Sequence, residues 1–365
     1  MEAAGQQRIV RAEDVAHMGL TEILRHALYI HSQYRALVRA IKHDRPALAI
    51  LIDFPDVNFR LAMHCKRLGV AVLWFVSPQL WAWKRRRLRW VQRFVDRMLV
   101  IFPFEAEFYR ARGVDVEFVG HPLATLPLHM LSREVYATAH GLDPAKHWIA
   151  LLPGSRWSEI SKNLPAMLDM AVRFPTGCEY LIPCASTIEP TRLQELITAQ
   201  LSFWHREVDP RMLLPTMKAA SDAREALFHA RASIVASGTA TVQALTIGNP
   251  FVVVYRVSAL SFAILKRLIR YPAEIPAQAD ADGNLPIAMP NLIAGRRIVT
   301  ELLNQRFTAT NLAAAIEPLL ADTPARARMI ADLAEARAKL LPAPGANPIH
   351  RVCAAAETLL RSDSP

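Results

Sequence analysis

ASIVASGTATVQALTIGNPFVVVYR, residues 232–256, reads as strand, tight turn, helix, turn and strand. Ser233 to Ala236 is a short apolar strand, and Ser237-Gly238-Thr239 breaks it. Ala240 to Ile247 carries strong helix formers at Ala240, Gln243, Ala244 and Leu245. Gly248-Asn249-Pro250 ends that helix, since glycine fits the left-handed position after a helix and proline cannot continue it. Phe251 to Tyr255 is an unbroken β-branched and aromatic run, as expected of a strand buried on both faces. Such a βαβ unit belongs to a parallel sheet covered by helices. Its first turn puts Ser237, Gly238 and Thr239 at a helix N-terminus, where free N–H groups and the helix dipole favour an anion. The same residues also make an ordinary helix cap, and on the turn alone both readings stand.

The chain of 365 residues is long enough for two domains, and its apolar fraction of 52% supplies a large core. A net charge of +10 suits a partner that carries phosphates: a nucleic acid, an anionic membrane surface or a phosphorylated small molecule. Cys65, Cys178, Cys184 and Cys353 are scattered, with no metal-ligand or redox spacing, as in a cytosolic protein with reduced thiols. Residues 1–14 contain no apolar signal core. The most apolar window, Val257 to Ile269, is broken by Lys266 and Arg267 and is too short to span a bilayer.

Alternation of strands and helices runs through the chain. Strands are expected at Arg8 to Val10, Ala47 to Ile52, Val70 to Val76, Arg97 to Phe102 and Val116 to Val119. Helices are expected from Thr21, over Phe59 to Leu68, over the basic stretch Trp81 to Val95, and over Phe104 to Arg112. Leu123 to Lys146 carries prolines and no strand signal and reads as a linker. A second series follows, with strands at Trp148 to Leu152, Tyr180 to Ile182 and Met212 to Leu214, and helices at Asn163 to Phe174, Thr191 to Leu201 and Ala223 to Ala230. Beyond residue 256 come an amphipathic helix, Ser258 to Ile269, a polar loop, Tyr271 to Pro290, and helix to the end. The fold class is therefore α/β with two doubly wound, Rossmann-like domains, divided as 1–135, 136–340 and a C-terminal helix in 341–365 that returns to the first domain.

Doubly wound domains bind ligands outside the carboxyl ends of their strands. The polar residues that follow apolar runs are Asp53 and Asp56, Ser77, His121, Ser155 and Arg156, and Ser237, Gly238 and Thr239. Carboxylates on one side and phosphate-binding groups on the other suit a transferase acting on a nucleotide-activated substrate.

DFPDVN (53–58), SPQLWAWKRRR (77–87), FPFE (102–105), GHP (120–122), LPGSR (152–156), ASGTAT (236–241), VVYR (253–256) and PNLIAGR (290–296) resemble the lipid-A-disaccharide synthase family in order and spacing across nearly the whole chain. The resemblance implies the GT-B glycosyltransferase architecture and an inverting transfer of a diacylated glucosamine from UDP to a diacylglucosamine 1-phosphate. It implies no cofactor and no metal in the site, and a peripheral protein on the cytoplasmic side of the inner membrane; a homodimer is a further expectation. Two departures stand out. Family members begin with a glycine-rich strand–loop–helix carrying Gly-Glu-x-Ser-Gly-Asp, whereas Met1 to Gly5 resembles a stretch downstream of it. The N-terminal domain is thus expected to be incomplete and the chain as written inactive or nearly so. The family motif Ser-Gly-Thr-Ala-x-x-Glu ends here in Gln243, whose uncharged amide should bind a ribose less tightly.

An inverting transfer needs a base for the attacking hydroxyl and support for the departing diphosphate. Asp53 is the base candidate, held at a strand end where partial burial would raise its basicity; a turn role before Pro55 is the plain alternative. Asp56 reads as a helix cap or a substrate contact. Arg156 is the diphosphate candidate, because a guanidinium fork matches paired phosphate oxygens; the alternative is a surface ion pair with Glu159. Arg256 and Asn291 could donate to the diphosphate or the uracil, or could be purely structural. Ser77, Ser155 and His121 complete the substrate-side set, although a histidine before a proline, as His121 is before Pro122, is more often a packed turn residue than a base.

Trp83, Arg85, Arg86, Arg87 and Trp90 are candidate membrane contacts, since rings and cations together suit the headgroup layer; Trp81 reads as core. No recognition helix or aromatic sheet supports a nucleic-acid partner. Alternatives to the transferase are another GT-B enzyme on UDP-N-acetylglucosamine, such as an epimerase, and an inactive UDP-lipid-binding protein at the membrane.

Overall fold

A computed structural model describes residues 5, 7–10, 27–128, 131–173, 177–185, 188–203, 217–220 and 222–362. The chain forms two compact units, dividing between Val119 and Gly120 and again between Ala346 and Asn347.

In the first unit, α1 (Ala27–Asp44) precedes β1 (Leu48–Ile52), α2 (Pro55–Arg67), β2 (Ala71–Phe75), α3 (Leu88–Phe94), β3 (Arg97–Val100), α4 (Pro103–Arg110) and β4 (Val116–Phe118). The four strands are parallel, in the order β1-β2-β3-β4. β2 is buried along its whole length, as its sequence AVLWF requires. β1 is an edge strand among the described residues, and Ile50 and Ile52, on one face, are 46% and 50% exposed.

α2 starts four residues before the helix read from periodicity, because Pro55 occupies its first turn, where a missing N–H costs nothing. Arg8 to Val10 is not a strand. Trp81 to Val95 is not one helix: residues 81–84 form turns and a left-handed residue at Lys84 (φ 53°), Arg85–Arg87 is one 3-10 turn, and only Leu88–Phe94 is α-helical. Burial is the reason. Trp81 is 1% exposed and its ring meets Phe104 edge-on at 5.1 Å, which bends the segment away from helical spacing.

The second unit contains α5 (Arg133–His140), β5 (Trp148–Leu152), α6 (Trp157–Arg173), β6 (Glu179–Pro183), α7 (Pro190–Phe203), β7 (Met217–Ala220), α8 (Ala223–His229), β8 (Ala232–Ala236), α9 (Thr239–Ile247) and β9 (Phe251–Tyr255). It continues through α10 (Ala259–Leu268), α11 (Met289–Ala294), β10 (Glu301–Leu303), α12 (Ala309–Leu320) and α13 (Pro324–Ala338). The last helix, α14 (Pro348–Ser362), packs on β1 and β2 of the first unit.

Three sequence readings change here. The expected linker holds α5, capped by Ser132, whose hydroxyl accepts the Val135 N–H at 3.3 Å, and closed by Gly141 at φ 61°. The tail after residue 290 is not wholly helical, because β10 pairs in parallel with β9; three residues are too few to show a period. Met212 to Leu214 lies outside the described residues, and the strand seen in that region is β7.

The six-stranded sheet is parallel throughout, in the order β10-β9-β8-β5-β6-β7. The chain enters at β5, runs outward through β6 and β7, and returns to the other side of β5 with β8. The strand order therefore reverses between β5 and β8, where Leu152 lies opposite Val235. Leu164, Met167 and Leu168 of α6 and Leu312 and Ile316 of α12 form one core with Ile149, Leu151 and Ile234.

Gly120, at the start of this unit, has φ +96°, and a Cβ there would sit 3.0 Å from Pro342 Cδ and 3.1 Å from the Leu340 carbonyl oxygen. The neighbouring His121 N–H donates to that same carbonyl at 2.8 Å. Gly120→Ala combines a disfavoured φ with crowding against backbone, and is expected to destabilise the protein by about 2 kcal/mol or more. Urea unfolding checks it; an unmoved midpoint would show that residues 340–342 simply give way.

Candidate active site

The strand reversal brings two helix N-termini to the same edge of the second sheet. At the end of β8, the Ser237 N–H donates to the Val254 carbonyl at 2.9 Å and fixes the turn to β9. Gly238 is the N-cap of α9 with φ 149° and ψ −158°, a conformation open to glycine alone. Thr241 turns inward, its hydroxyl donating to the Gly238 carbonyl at 2.7 Å. Among the described residues no side chain caps α9, and Gly238 and Thr239 are exposed. Gln243, half-buried, follows Thr239 by one turn and shares its face of the helix.

The end of β5 is arranged differently. Glu159 folds back over the start of α6: its carboxylate accepts the Ser155 N–H at 3.2 Å and the Arg156 Nη1 at 3.2 Å. Gly154, at φ +129°, leaves the space that Glu159 fills, since a Cβ there would lie 2.5 Å from Glu159 Oε2. Arg156 is 70% exposed and, among the described residues, its side chain is held by this surface pair, the alternative recognised from sequence. An incoming anion would compete with Glu159 for the same donors.

Arg256 and Asn291 are bound into the frame. Arg256 donates Nη1 to the Lys162 carbonyl at 3.2 Å and Nη2 to the Phe307 carbonyl, and its guanidinium lies 4.4 Å from the Phe307 ring centre. Burial lowers its pKa. Asn291 is fully buried; its Nδ2 donates to the Val299 carbonyl at 3.0 Å and to Glu301 Oε1 at 2.8 Å, and its Oδ1 accepts from Ile298 and Val299 N–H at 2.7 and 3.0 Å. His121 is buried, its Nδ1 accepts the Leu123 N–H at 3.2 Å, and burial pushes its pKa down to about 4. It is neutral at pH 7 and a weak base.

In the first unit the carboxyl edge is strained. Asp53 (φ 45°), Phe54 (φ 43°) and Val76 (φ 64°) are left-handed although none is glycine, and a β-branched residue there is a true outlier. Asn58 holds the first of these turns, donating Nδ2 to the Ile52 and Asp53 carbonyls at 3.1 and 2.6 Å. The Asp53 side chain is exposed, so the partial burial expected for it is not found; an edge strand offers no cover. Asp56 lies in the first turn of α2, where it accepts Arg87 Nη1 at 2.6 Å.

Ser77 belongs to a buried network that sequence reading missed. Its hydroxyl donates to Glu105 Oε1 at 2.8 Å, the Trp81 indole N–H donates to the same oxygen at 3.1 Å, and the Phe102 N–H donates to Glu105 Oε2 at 3.1 Å. Glu105 is 1% exposed. The signal was in FPFE, with Pro103 in the first helical turn and glutamate at the third position, where it reaches back to the N-cap.

Trp83 and Trp90 are 42% and 38% exposed, and Arg85 and Arg86 are exposed. Arg87 is partly covered and tied to Asp56. No helix among the described residues is long and apolar enough to cross a membrane. Among the described residues no three His, Cys, Asp or Glu side chains gather as a metal site.

Burial is the larger effect on Glu105; it pushes the pKa up to about 7, against the hydrogen bonds from Ser77, Phe102 and Trp81. The folded protein then holds this proton more tightly than the unfolded chain. The associated stability is complete below about pH 4.5 and is lost as pH rises to about 7, by about 3 kcal/mol in all. Glu105→Gln keeps an acceptor for Ser77 and Trp81 and cannot titrate. Chemical unfolding at pH 5 and pH 7.5 should show stability falling more steeply in the parent than in the variant. Equal changes would mean that Glu105 is not the titrating group.

A family model described as lipid-A-disaccharide synthetase matches residues 1–342. The lipid-A-disaccharide synthase of Acidobacterium capsulatum is 50% identical over 364 residues, covering 99% of this chain and 87% of its own. That of Koribacter versatilis is 44% identical over 340 residues, covering 93% and 83%. Among solved structures, an S. aureus MnaA–UDP co-structure has a TM-score of 0.59 at 13% identity over 93% of this chain and 83% of its own. The calicheamicin glycosyltransferase CalG4 has a TM-score of 0.57 at 15% identity over 100% and 88%. Those two likenesses speak for the fold, two parallel-sheet α/β domains of the GT-B class, and for nothing further. The family model and the half-identical relative settle the lineage: the chain belongs to the lipid-A-disaccharide synthase family.

Proposed function

We propose that the chain is an inverting glycosyltransferase that joins UDP-2,3-diacylglucosamine to 2,3-diacylglucosamine 1-phosphate, giving the lipid A disaccharide 1-phosphate and UDP. That it is a glycosyltransferase of lipid A disaccharide synthesis follows from its family. The observation that carries the substrate reading is the uncapped N-terminus of α9 at the strand reversal, beside the arginine-bearing loop after β5. A reversal point with a free helix N-terminus suits a diphosphate.

The roles follow from chemistry. The acceptor hydroxyl loses its proton to Asp53 as its oxygen attacks the anomeric carbon. The bond from that carbon to the diphosphate breaks on the opposite face, and UDP leaves with the electron pair. Arg156, released from Glu159, neutralises the departing charge, and the α9 N–H groups of Gly238 and Thr239 hold phosphate oxygens. Ser155 and Ser237 shape the two turns, and Gln243 accepts from the ribose. Arg256 ties α6 to Phe307, Asn291 ties α11 to residues 298–301, and His121 caps its own turn, so all three act on the frame of this unit. On the acceptor side, Ser77 anchors the turn after β2 through Glu105, and the Asp56–Arg87 pair ties down the start of α2 beside Asp53. The enzyme works at the cytoplasmic surface of the inner membrane, where both lipid substrates reside.

The test is UDP release from the two purified lipids and none without acceptor; turnover by the parent supports this reading and overturns the inactivity expected from the sequence alone. Asp53→Asn should keep UDP affinity by calorimetry and lose about 10²- to 10⁴-fold in turnover, the range for a general base. Unchanged turnover in a folded variant removes Asp53 from the mechanism.

Gln243→Glu should tighten UDP by roughly tenfold, because a charged acceptor contributes about 1 kcal/mol more than a neutral one. A dissociation constant that does not move places this side chain away from the ribose.

A further inference from the structure

α10 has two unlike faces. Successive residues of a helix turn by about 100°, so Leu260, Ile264 and Leu268 fall in one stripe about 80° wide. They are 73%, 48% and 58% exposed. Phe262, Leu265 and Ile269 lie on the opposite side and are half-covered. Phe262, Ala263 and Lys266 line a cavity of about 950 Å³ together with Arg256, Asn304 and Arg306. The helix is fixed in this orientation. Ser258 caps its start, its hydroxyl accepting the Ser261 N–H at 3.1 Å, and Lys266 Nζ donates to the Asp282 carbonyl at 2.6 Å. The stripe therefore cannot roll inward.

The flank of the stripe is basic at Arg267, which is exposed, as is Arg270 just past the end of the helix, and residues 257–271 contain no aspartate or glutamate. Arg267 lies about one helical turn from Ile264 and about two from Leu260, at the border of the apolar stripe. Three bulky apolar side chains bordered by cations match the boundary between acyl chains and anionic headgroups. A second copy of the chain fits less well, since a twofold contact would place the same cations against each other.

We infer that α10 is a membrane-seating helix, with Leu260, Ile264 and Leu268 entering the acyl boundary of an anionic bilayer and Arg267 meeting its phosphates. The surface lies in the second unit, apart in sequence from the basic run Arg85–Arg87 that composition alone singles out. It extends the membrane-surface part of the proposed function and leaves the chemistry of transfer untouched.

The experiment uses the whole protein with vesicles of phosphatidylglycerol and phosphatidylethanolamine. Replacing Leu260, Ile264 and Leu268 together by Ser should lower vesicle partitioning by about tenfold or more, since each is a large exposed side chain removed from the interface. UDP release from detergent-dispersed substrates should stay at the parent level, so a failure of the catalytic proposal would show in the parent and not here. Arg267→Gln should weaken partitioning a few-fold at low salt and less at high salt. Unchanged partitioning of the triple variant overturns the inference. So does a triple variant that partitions normally but loses micellar turnover, since the stripe would then serve the substrate. A lipid-free change in sedimentation with partitioning unchanged would instead make it an interface between copies, and overturns it too. Should the triple variant fail to fold, a dye on Ile264→Cys in a Cys353→Ser background decides: quenching by brominated acyl chains supports the inference, and no quenching overturns it.

Discussion

The pairing of β5 with β8 is the constraint on which the second unit depends. Both strands are buried along their whole length, so neither can face solvent and each must be flanked by other strands. Once β8 returns to the free side of β5, Leu152 and Val235 lie opposite each other, and the loops that follow them emerge side by side. Proximity of the two turns is thus a by-product of hydrophobic burial. In the proposed transfer, the chemistry is added by the residues that end these strands: glycine where the backbone must be open, arginine where charge is wanted.

The two helix N-termini at this edge solve the same electrostatic problem in opposite ways. α6 satisfies its first donors internally, with the Glu159 carboxylate against the Ser155 N–H and the Arg156 guanidinium. α9 has no side-chain cap among the described residues. A self-capped terminus is stable without ligand but yields only to a stronger anion, whereas an uncapped one leaves donors to solvent until an anion arrives. In the proposed transfer, the pair combines affinity at α9 with a charge at Arg156 that engages only when a more highly charged group than a carboxylate is present.

The first unit carries its special features in the backbone and beneath it. Asp53, Phe54 and Val76 hold left-handed conformations at consecutive strand ends, each at a cost of order 1–3 kcal/mol that the surrounding packing must offset. Part of that support is visible: Asn58 binds the carbonyls of Ile52 and Asp53, and Glu105 gathers Ser77, Trp81 and Phe102 into one buried network. Glu105 is thus a foundation of the edge although it contributes no side chain to its surface.

Local pattern in the sequence was enough for the α/β class, for strands such as Trp148–Leu152 and Phe251–Tyr255, and for the family through motifs such as LPGSR and ASGTAT. Strand and helix periods are set by neighbours a few residues away, so they can be read from a window. It did not reveal the short strand β10, the broken helix at 81–95 or the order of strands, because these depend on burial against distant segments. The same limit applies to side chains. Asp56 and Arg87 are 31 residues apart, Arg256 and Lys162 are 94 apart, and nothing local to either says that they bind each other. Residue type announced which groups could hold a phosphate or move a proton; only the tertiary structure decided which were already engaged, since a hydrogen bond is assigned by distance in space and not along the chain.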